Sequence, residues 1–318
     1  MLNRRHLRIK VLQSLYAYYQ SNSDELLQHE KQLFGAIERI YDLYIYLLLT
    51  FPELKAKGEY RIAENKKKIR PTEEDLNPNR KFVDNQIIAL IETHPTLRAE
   101  SENRKVNWLG AVEQEMFRKM YLALRESEVY FEHMNNETSS FEEDKAFAIQ
   151  LFKSEIANYP ALYDYFEEKN IHWLDDIDLA CSMAIKTIKS FKEEGNNSIL
   201  PLYKEDDDER DFVKNLFRKT IQLDQENLAL IDELTKNWEL DRIAKMDILL
   251  MKMAITELQI FNNIPVKVTL NEYIEIAKFY STPKSNVFIN GILDKAIARL
   301  EKDGKIQKVG RGLIGKNK

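Results

Sequence analysis

IPVKVTLNEYIEIAKFYSTPKSNVFINGILDK, residues Ile264 to Lys295, decides the fold: it reads as an extended arrival, a helix, a tight turn and a second helix. Pro265 has no backbone donor and biases Ile264 away from the α region, so a preceding helix stops there. Thr269 and Glu272 have the spacing of a capping box, and Val268 and Tyr273 are placed as a hydrophobic staple. Thr282 before Pro283 reads as a second cap, with proline at the first helical position. The second helix carries an apolar arc of Phe288, Ile289, Ile292, Leu293, Ala296, Ile297 and Leu300. Gly291 lies at the edge of that arc. A mid-helix glycine costs about 1 kcal/mol against alanine, so close approach of another backbone is expected there.

Upstream, Leu240 to Ile260 reads as one long helix. Asp241, Lys245, Lys252 and Gln259 fall on a stripe within about 40° of arc, which predicts a solvent or partner face. Ile243, Met246, Leu250, Met253, Ala254 and Leu258 make the opposite arc. Asp247 and Glu257 coincide inside or beside that apolar arc. Buried carboxylates need partners, so each is expected to accept hydrogen bonds from a neighbouring helix start or a basic side chain.

At the other end of the chain, Arg4, Arg5, Arg8 and Lys10 open a helix that has no acid in its first twenty residues. Leu7, Val11, Leu12, Leu15, Tyr18 and Tyr19 share a core-facing arc, while Arg5, Ile9 and Tyr16 lie along a neighbouring line. That line puts a guanidinium and an aromatic ring on one edge. A second long helix is expected over 24–54, ending near Pro52, followed by a basic, mobile loop over 55–80 with Lys55, Lys57, Lys66, Lys67, Lys68 and Arg70. Helical periodicity returns over about 81–93, 104–134, 141–158, 160–168 and 172–192. EGNNS, Glu194 to Ser198, is a break. The acidic run Glu205 to Glu209 leads into helices over about 208–220, 224–237 and 239–261. The tail, 302–318, is basic and glycine-bearing and reads as disordered.

Composition agrees with an all-α chain. Nine glycines and eight prolines in 318 residues fall far below the usual combined share of roughly 12%, which leaves little turn chemistry. At 44% apolar and 31% charged, the chain can bury a substantial core. Cys181 is the single cysteine, so no intrachain disulfide can form, and a reducing cytoplasm is expected. Residues 1–10 are charged with no apolar cleavage-type stretch after them, so no secretion signal is expected. Tyr41 to Phe51, the most apolar run, is too short to span a bilayer and reads as a buried helix. The five histidines, His6, His29, His94, His133 and His172, form no metal-ligand pair at helical spacing, and there is no phosphate loop or GxGxxG. No catalytic or metal residue and no cofactor is expected.

The segments RRHLRIKVLQSLY (Arg4–Tyr16), DRIAKMDILLMKMAITEL (Asp241–Leu258) and the opening stretch together resemble the NusB family. The last carries the most specific matches: Asn271-Glu272, Ala277-Lys278, Ser285, Phe288 and Asn290-Gly291. Asp211 to Leu234 is a weaker match. The resemblance implies an all-α, NusB-like helical bundle with a large helical insertion: residues 1–35 as its first helix, 36–204 as the insertion, 205–301 as its C-terminal helices, and 302–318 as the tail. It also implies a non-enzymatic transcription antitermination factor. Such proteins bind boxA-type RNA of ribosomal RNA operon leaders with NusE, a small ribosomal subunit protein, and act with NusA, NusG and RNA polymerase. Some RNA methyltransferases carry a NusB-like domain before a catalytic one, but the tail here is too short for such a fold.

On this reading Arg4, Arg5, Arg8 and Lys10 meet phosphates, Tyr16 stacks an unpaired base, and Lys284, where the family commonly has an acid, adds a cation to the turn. Asp241, Lys245 and Lys252 are candidates for the NusE-facing surface. The bland alternatives are an ordinary solvated helix start for the arginines and a core tyrosine with its hydroxyl outward for Tyr16. The basic 55–70 stretch reads as simply solvated, and the tail as a candidate for nonspecific RNA contact. The alternative function is a non-catalytic helical scaffold whose insertion mediates protein–protein interaction.

Overall fold

The computed structural model describes residues 2–21, 25–235 and 240–314. Fifteen α-helices and no strand occur among them, as the scarcity of turn residues predicts. No helix among these residues is long and apolar enough to cross a membrane. The chain divides into two compact units, residues 38–202, and residues 2–37 with 203–318.

The 38–202 unit holds the greater part of α2 (Leu26–Lys66) and the helices α3 (Glu73–Leu76), α4 (Gln86–Thr93), α5 (Pro95–Arg104), α6 (Ala111–Arg125), α7 (Glu128–Asn135), α8 (Phe141–Leu151), α9 (Pro160–Lys169) and α10 (Ile177–Ser190). The expected end of α2 at Pro52 is wrong: the helix runs through the proline to Lys66. An interior proline costs roughly 3 kcal/mol. Burial offsets that cost: Leu47, Leu48, Phe51 and Leu54 keep the helical period across it, and each such burial contributes about 1.5–3 kcal/mol. The expected mobile loop is therefore helical over its first part. Its lysines also have acids: Lys55 meets Glu92 at 2.5 Å and Lys68 meets Asp75 at 2.8 Å. Trp108, wholly buried, donates from Nε1 to the Tyr46 carbonyl at 3.1 Å and anchors an aromatic cluster with Tyr46, Phe117 and Phe166.

The other unit contains α1 (Arg4–Ser21), the first residues of α2, α11 (Asp206–Gln222), α12 (Asp224–Leu234), α13 (Lys245–Ile260), α14 (Val266–Tyr280) and α15 (Ser285–Lys302). Helix α13 is its centre. It packs on α1, α11, α12, α14 and α15, and every residue from Leu249 to Leu258 is buried. A helix buried all round is the signature of an interior position. It begins at Lys245, so Asp241 sits in a preceding 3-10 turn, Leu240–Arg242, and not on the helical stripe. The expected helix boundary at 237–239 lies outside the described residues.

Two buried carboxylates fix α13 at its two ends, in the way expected of them. Glu257 accepts from Arg8 Nε and Nη2, both at 2.7 Å, from Thr269 Oγ1 at 2.8 Å and from the Tyr273 hydroxyl at 3.0 Å. Asp247 accepts from Ser285 Oγ at 2.7 Å and from Ser281 Oγ. These partners account for three corrections in the 264–295 stretch. Thr269 and Glu272 do not form a capping box: α14 starts at Val266, and the two side chains turn to Glu257 and to Arg5. Val268 is exposed while Tyr273 is buried, so no staple forms. Thr282 is not the cap of α15; its hydroxyl lies 2.7 Å from Ser285 Oγ, in the chain that ends at Asp247. Gly291 has nothing within 4 Å of the position a Cβ would take, so the expected backbone approach is absent.

The tail is ordered over 303–314, against expectation; 315–318 lie outside the described residues. Lys308 Nζ donates to the Phe261 carbonyl at 2.9 Å and Val309 N to the Asn262 carbonyl at 3.0 Å. Gly312 is pressed on that same carbonyl, where a Cβ would stand 2.0 Å from the oxygen. Gly310, at φ +52°, supplies the left-handed turn that brings it there.

Candidate nucleic-acid interface

The nine candidate residues separate by burial. Leu7, Val11, Leu12 and Leu15 face the core as the periodicity requires, and that rotation takes two cations of α1 inward. Arg8 is 2% exposed and Lys10 4% exposed. Arg8 is thus not part of a surface cationic helix start. Burial alone would lower its pKa, but the charge and hydrogen bonds of Glu257 outweigh that and hold it well above the ordinary arginine value. Lys10, likewise buried, offers no surface charge. Lys252, expected on an exposed stripe, is 8% exposed and donates from Nζ to Asp224 Oδ1 at 2.6 Å.

Arg4, Arg5, Tyr16, Asp241, Lys245 and Lys284 remain at the surface or partly so. Arg4 pairs with Asp208 at 2.5 Å and lies over the Phe212 ring. Arg5 grips Glu272 with two bonds, Nη2 to Oε1 at 2.8 Å and Nε to Oε2 at 3.0 Å. Burial raises the Glu272 pKa, but the Arg5 hydrogen bond and the charges of Arg8 and Arg5 overcome it and hold the carboxyl below its usual range.

Tyr16 is 41% exposed and borders a groove of about 220 Å³. Tyr19, Gln20, Lys245, Ile248, Leu249 and Lys252 complete the lining. The structure therefore brings the aromatic edge of α1 and the start of α13 to one place, although the sequence treated them as separate surfaces. Tyr19 lies there because its hydroxyl donates to Asp224 Oδ1 at 2.6 Å. Burial and that carboxylate push its pKa far up, so it stays a neutral donor. The groove offers a ring face, an apolar floor, an amide and an exposed ammonium, which suits an unstacked base with its phosphate. Lys284 borders a different depression of about 230 Å³, with Arg242, Thr282 and Phe288.

The sequence offered the 302–318 tail only as a nonspecific RNA contact and did not single out Arg311. That residue lines a cavity with Arg4, Arg5 and Asn263. Its signal was the glycines around it, which mark a tight docked turn rather than disorder. In the 38–202 unit, His133, Glu143 and Asp144 cluster within metal-ligand distance. One donor atom of each is engaged within the fold: His133 Nδ1 lies 2.8 Å from Glu143 Oε1, and Asp144 Oδ2 accepts from Gln86 N at 2.9 Å, while His133 Nε2 and Glu143 Oε2 are buried without a hydrogen-bond partner. The Lys81 ammonium 3.6 Å from Glu143 further disfavours a cation there.

A model described as the NusB family matches residues 177–298. That match takes in α10 as well as α11 to α15, and leaves α1 outside. Among curated proteins, the transcription antitermination protein NusB of Salinibacter ruber is 47% identical over 111 residues, covering 35% of this chain and 69% of that protein. The protein of the same name from Chloroherpeton thalassium is 43% identical over 105 residues, covering 33% of this chain and 50% of its own. That of Natranaerobius thermophilus is 42% identical over 82 residues, covering 24% and 59%. No solved structure gives a significant match.

Proposed function

The chain belongs to the NusB family, and from that premise we propose that it is a transcription antitermination factor that binds boxA-type leader RNA together with NusE. On this reading it joins NusA, NusG and RNA polymerase through that complex and performs no catalysis of its own. The observation that carries it is the solvent-facing line from Arg5 to Tyr16 on α1, which ends over the groove holding Lys245. A single strand lying along this line has a guanidinium for phosphate, a ring for a base and an ammonium beside that ring. Lys284 extends the charge to the turn before α15. Asp241 and Lys245, both exposed, remain the residues proposed to face NusE; Lys252, buried and paired with Asp224, is not among them.

The test is fluorescence anisotropy with a boxA-type RNA and a scrambled one, with and without NusE. Tighter binding to boxA, strengthened by NusE, is expected. Tyr16→Ala should lose about 1–3 kcal/mol of that affinity, the usual worth of one base stack, while Tyr16→Phe keeps most of it. Equal affinity for scrambled RNA, or indifference to Tyr16→Ala, refutes the reading.

A scaffold role for the 38–202 unit is favoured by Leu109 and Val112, which stand 80% and 77% exposed at the start of α6. It requires that polar substitutions at both leave RNA binding as it was and abolish a protein contact.

A further inference from the structure

We propose that the C-terminal segment completes a second nucleotide position, in which Arg311 takes an RNA phosphate in the cavity beside Arg5. This rests on the RNA-binding reading above and extends it to residues beyond the family match, which stops at 298.

The cavity is about 540 Å³, within the range of small-ligand sites. Its walls are the start of α1, the connection into α14, the first turns of α14 with the Glu272 carboxylate that Arg5 holds, and the turn around Arg311. That turn is built in, not draped: the Lys308 and Val309 bonds to Phe261 and Asn262, and the Gly312 contact on Asn262, hold its backbone. Arg4 and Arg5 already face Asp208 and Glu272. No carboxylate among the described residues forms an ion pair with Arg311. Its planar fork of donors suits a phosphate bidentately.

The remaining lining distinguishes a nucleotide from a bare anion. Ile264, Val268 and Ile314 form an apolar wall against which a base or ribose can lie. Asn263 offers both a donor and an acceptor to a base edge. Asn3 Oδ1 accepts from His6 N at 3.0 Å, so its Nδ2 is the group that can turn to a ligand. The Arg5–Tyr16 line ends at this cavity. At 1.5 Å rise per residue it is about 16 Å long. A strand whose base stacks on Tyr16 is thereby carried to Arg311. An acidic peptide would meet the same guanidinium but has no such second anchor.

The test uses the full chain and a short single-stranded RNA of boxA type. Arg311→Glu should weaken binding roughly tenfold at moderate salt and reduce the salt slope by about 1, as loss of one phosphate contact requires. Arg311→Lys should keep the slope and lose part of the affinity. Circular dichroism melts unchanged from wild type will show that the exposed substitution leaves the fold intact. Unaltered affinity and slope in Arg311→Glu, with wild type still selecting boxA, overturns this inference alone. Failure of wild type to bind RNA overturns the parent reading. Weakened binding of NusE with RNA binding unchanged would overturn the nucleotide assignment in favour of a protein ligand.

Discussion

Glu257→Leu removes the carboxylate that receives four hydrogen bonds at the centre of the 2–37 and 203–318 unit. Glu257 is 0% and Arg8 2% exposed. The substitution strands a buried guanidinium, and the next acid available to it, Glu272, stands 3.6 Å away. Removing one partner of such a pair costs about 3–5 kcal/mol. The hydroxyls of Thr269 and Tyr273 lose their acceptor as well, at about 1–3 kcal/mol each if they find no other. Arg8 keeps partial relief from Glu272 and from the faces of Phe212 and Tyr273, 5.3 and 5.9 Å from their centroids. A net loss of about 5 kcal/mol follows, and for a unit of this size it lowers Tm by roughly 10–20 °C. The assay is hydrogen exchange of α13 amides across a urea series, which reports this unit separately from the other. Pairing Arg8→Leu with Glu257→Leu should recover much of the loss, because two apolar side chains replace an ion pair with little penalty. Single variants that each cost less than about 1 kcal/mol, or a double variant as damaged as their sum, would refute the assignment of Arg8 to the core.

Gly312→Ala forces its Cβ onto the Asn262 carbonyl, so protection from exchange and proteolysis should fall over 303–314 and not in α13. Glu272 has a depressed pKa in the folded state, so its contribution is full above the unfolded carboxylate value of about 4.3 and is lost as pH falls below it. Stability curves of wild type and Glu272→Gln should therefore differ at neutral pH and converge in acid; curves that stay parallel contradict the pairing. Burial and the charge of Asp178 push the Cys181 thiol up to about 12, so a thiol reagent at neutral pH should label it only on unfolding, and rapid native labelling would place it at the surface. Asp208→Asn frees Arg4 from its ion pair, and RNA affinity should rise with a steeper salt dependence; no change in either would remove Arg4 from the interface.

The helices of this unit were legible because their apolar periods are long and unbroken. Asp247 and Glu257 were legible as well, since a carboxylate on an apolar arc has to be satisfied. What was hidden depended on partners far away in sequence. Arg8 reads as one of four clustered cations, and only Glu257, 249 positions later, makes it a core residue. Thr269 and Glu272 meet the spacing of a capping box, but each found a stronger acceptor or donor across the bundle. Pro52 breaks a helix in isolation and not in one whose flanking residues are buried. The tail looked disordered because its anchors are backbone carbonyls far away in sequence, so Gly310 and Gly312 read as flexibility and not as the tight turn that docks on Asn262.

The same redistribution changes the electrostatics of the proposed interface. Counting cations in the first ten residues suggests a strongly attractive helix start, yet two are buried and the other two face acids of their own chain. Asp208 and Glu272 then act as built-in counterions. A phosphate arriving at Arg4 or Arg5 displaces a carboxylate held by the fold, and fewer mobile ions are released than the charge count implies. On the proposed reading, RNA binding would gain less from electrostatics and depend more on Tyr16, on the groove beneath it and on Arg311. That weighting favours unpaired bases over duplex backbone, which is the property required of a factor that reads a short single-stranded element.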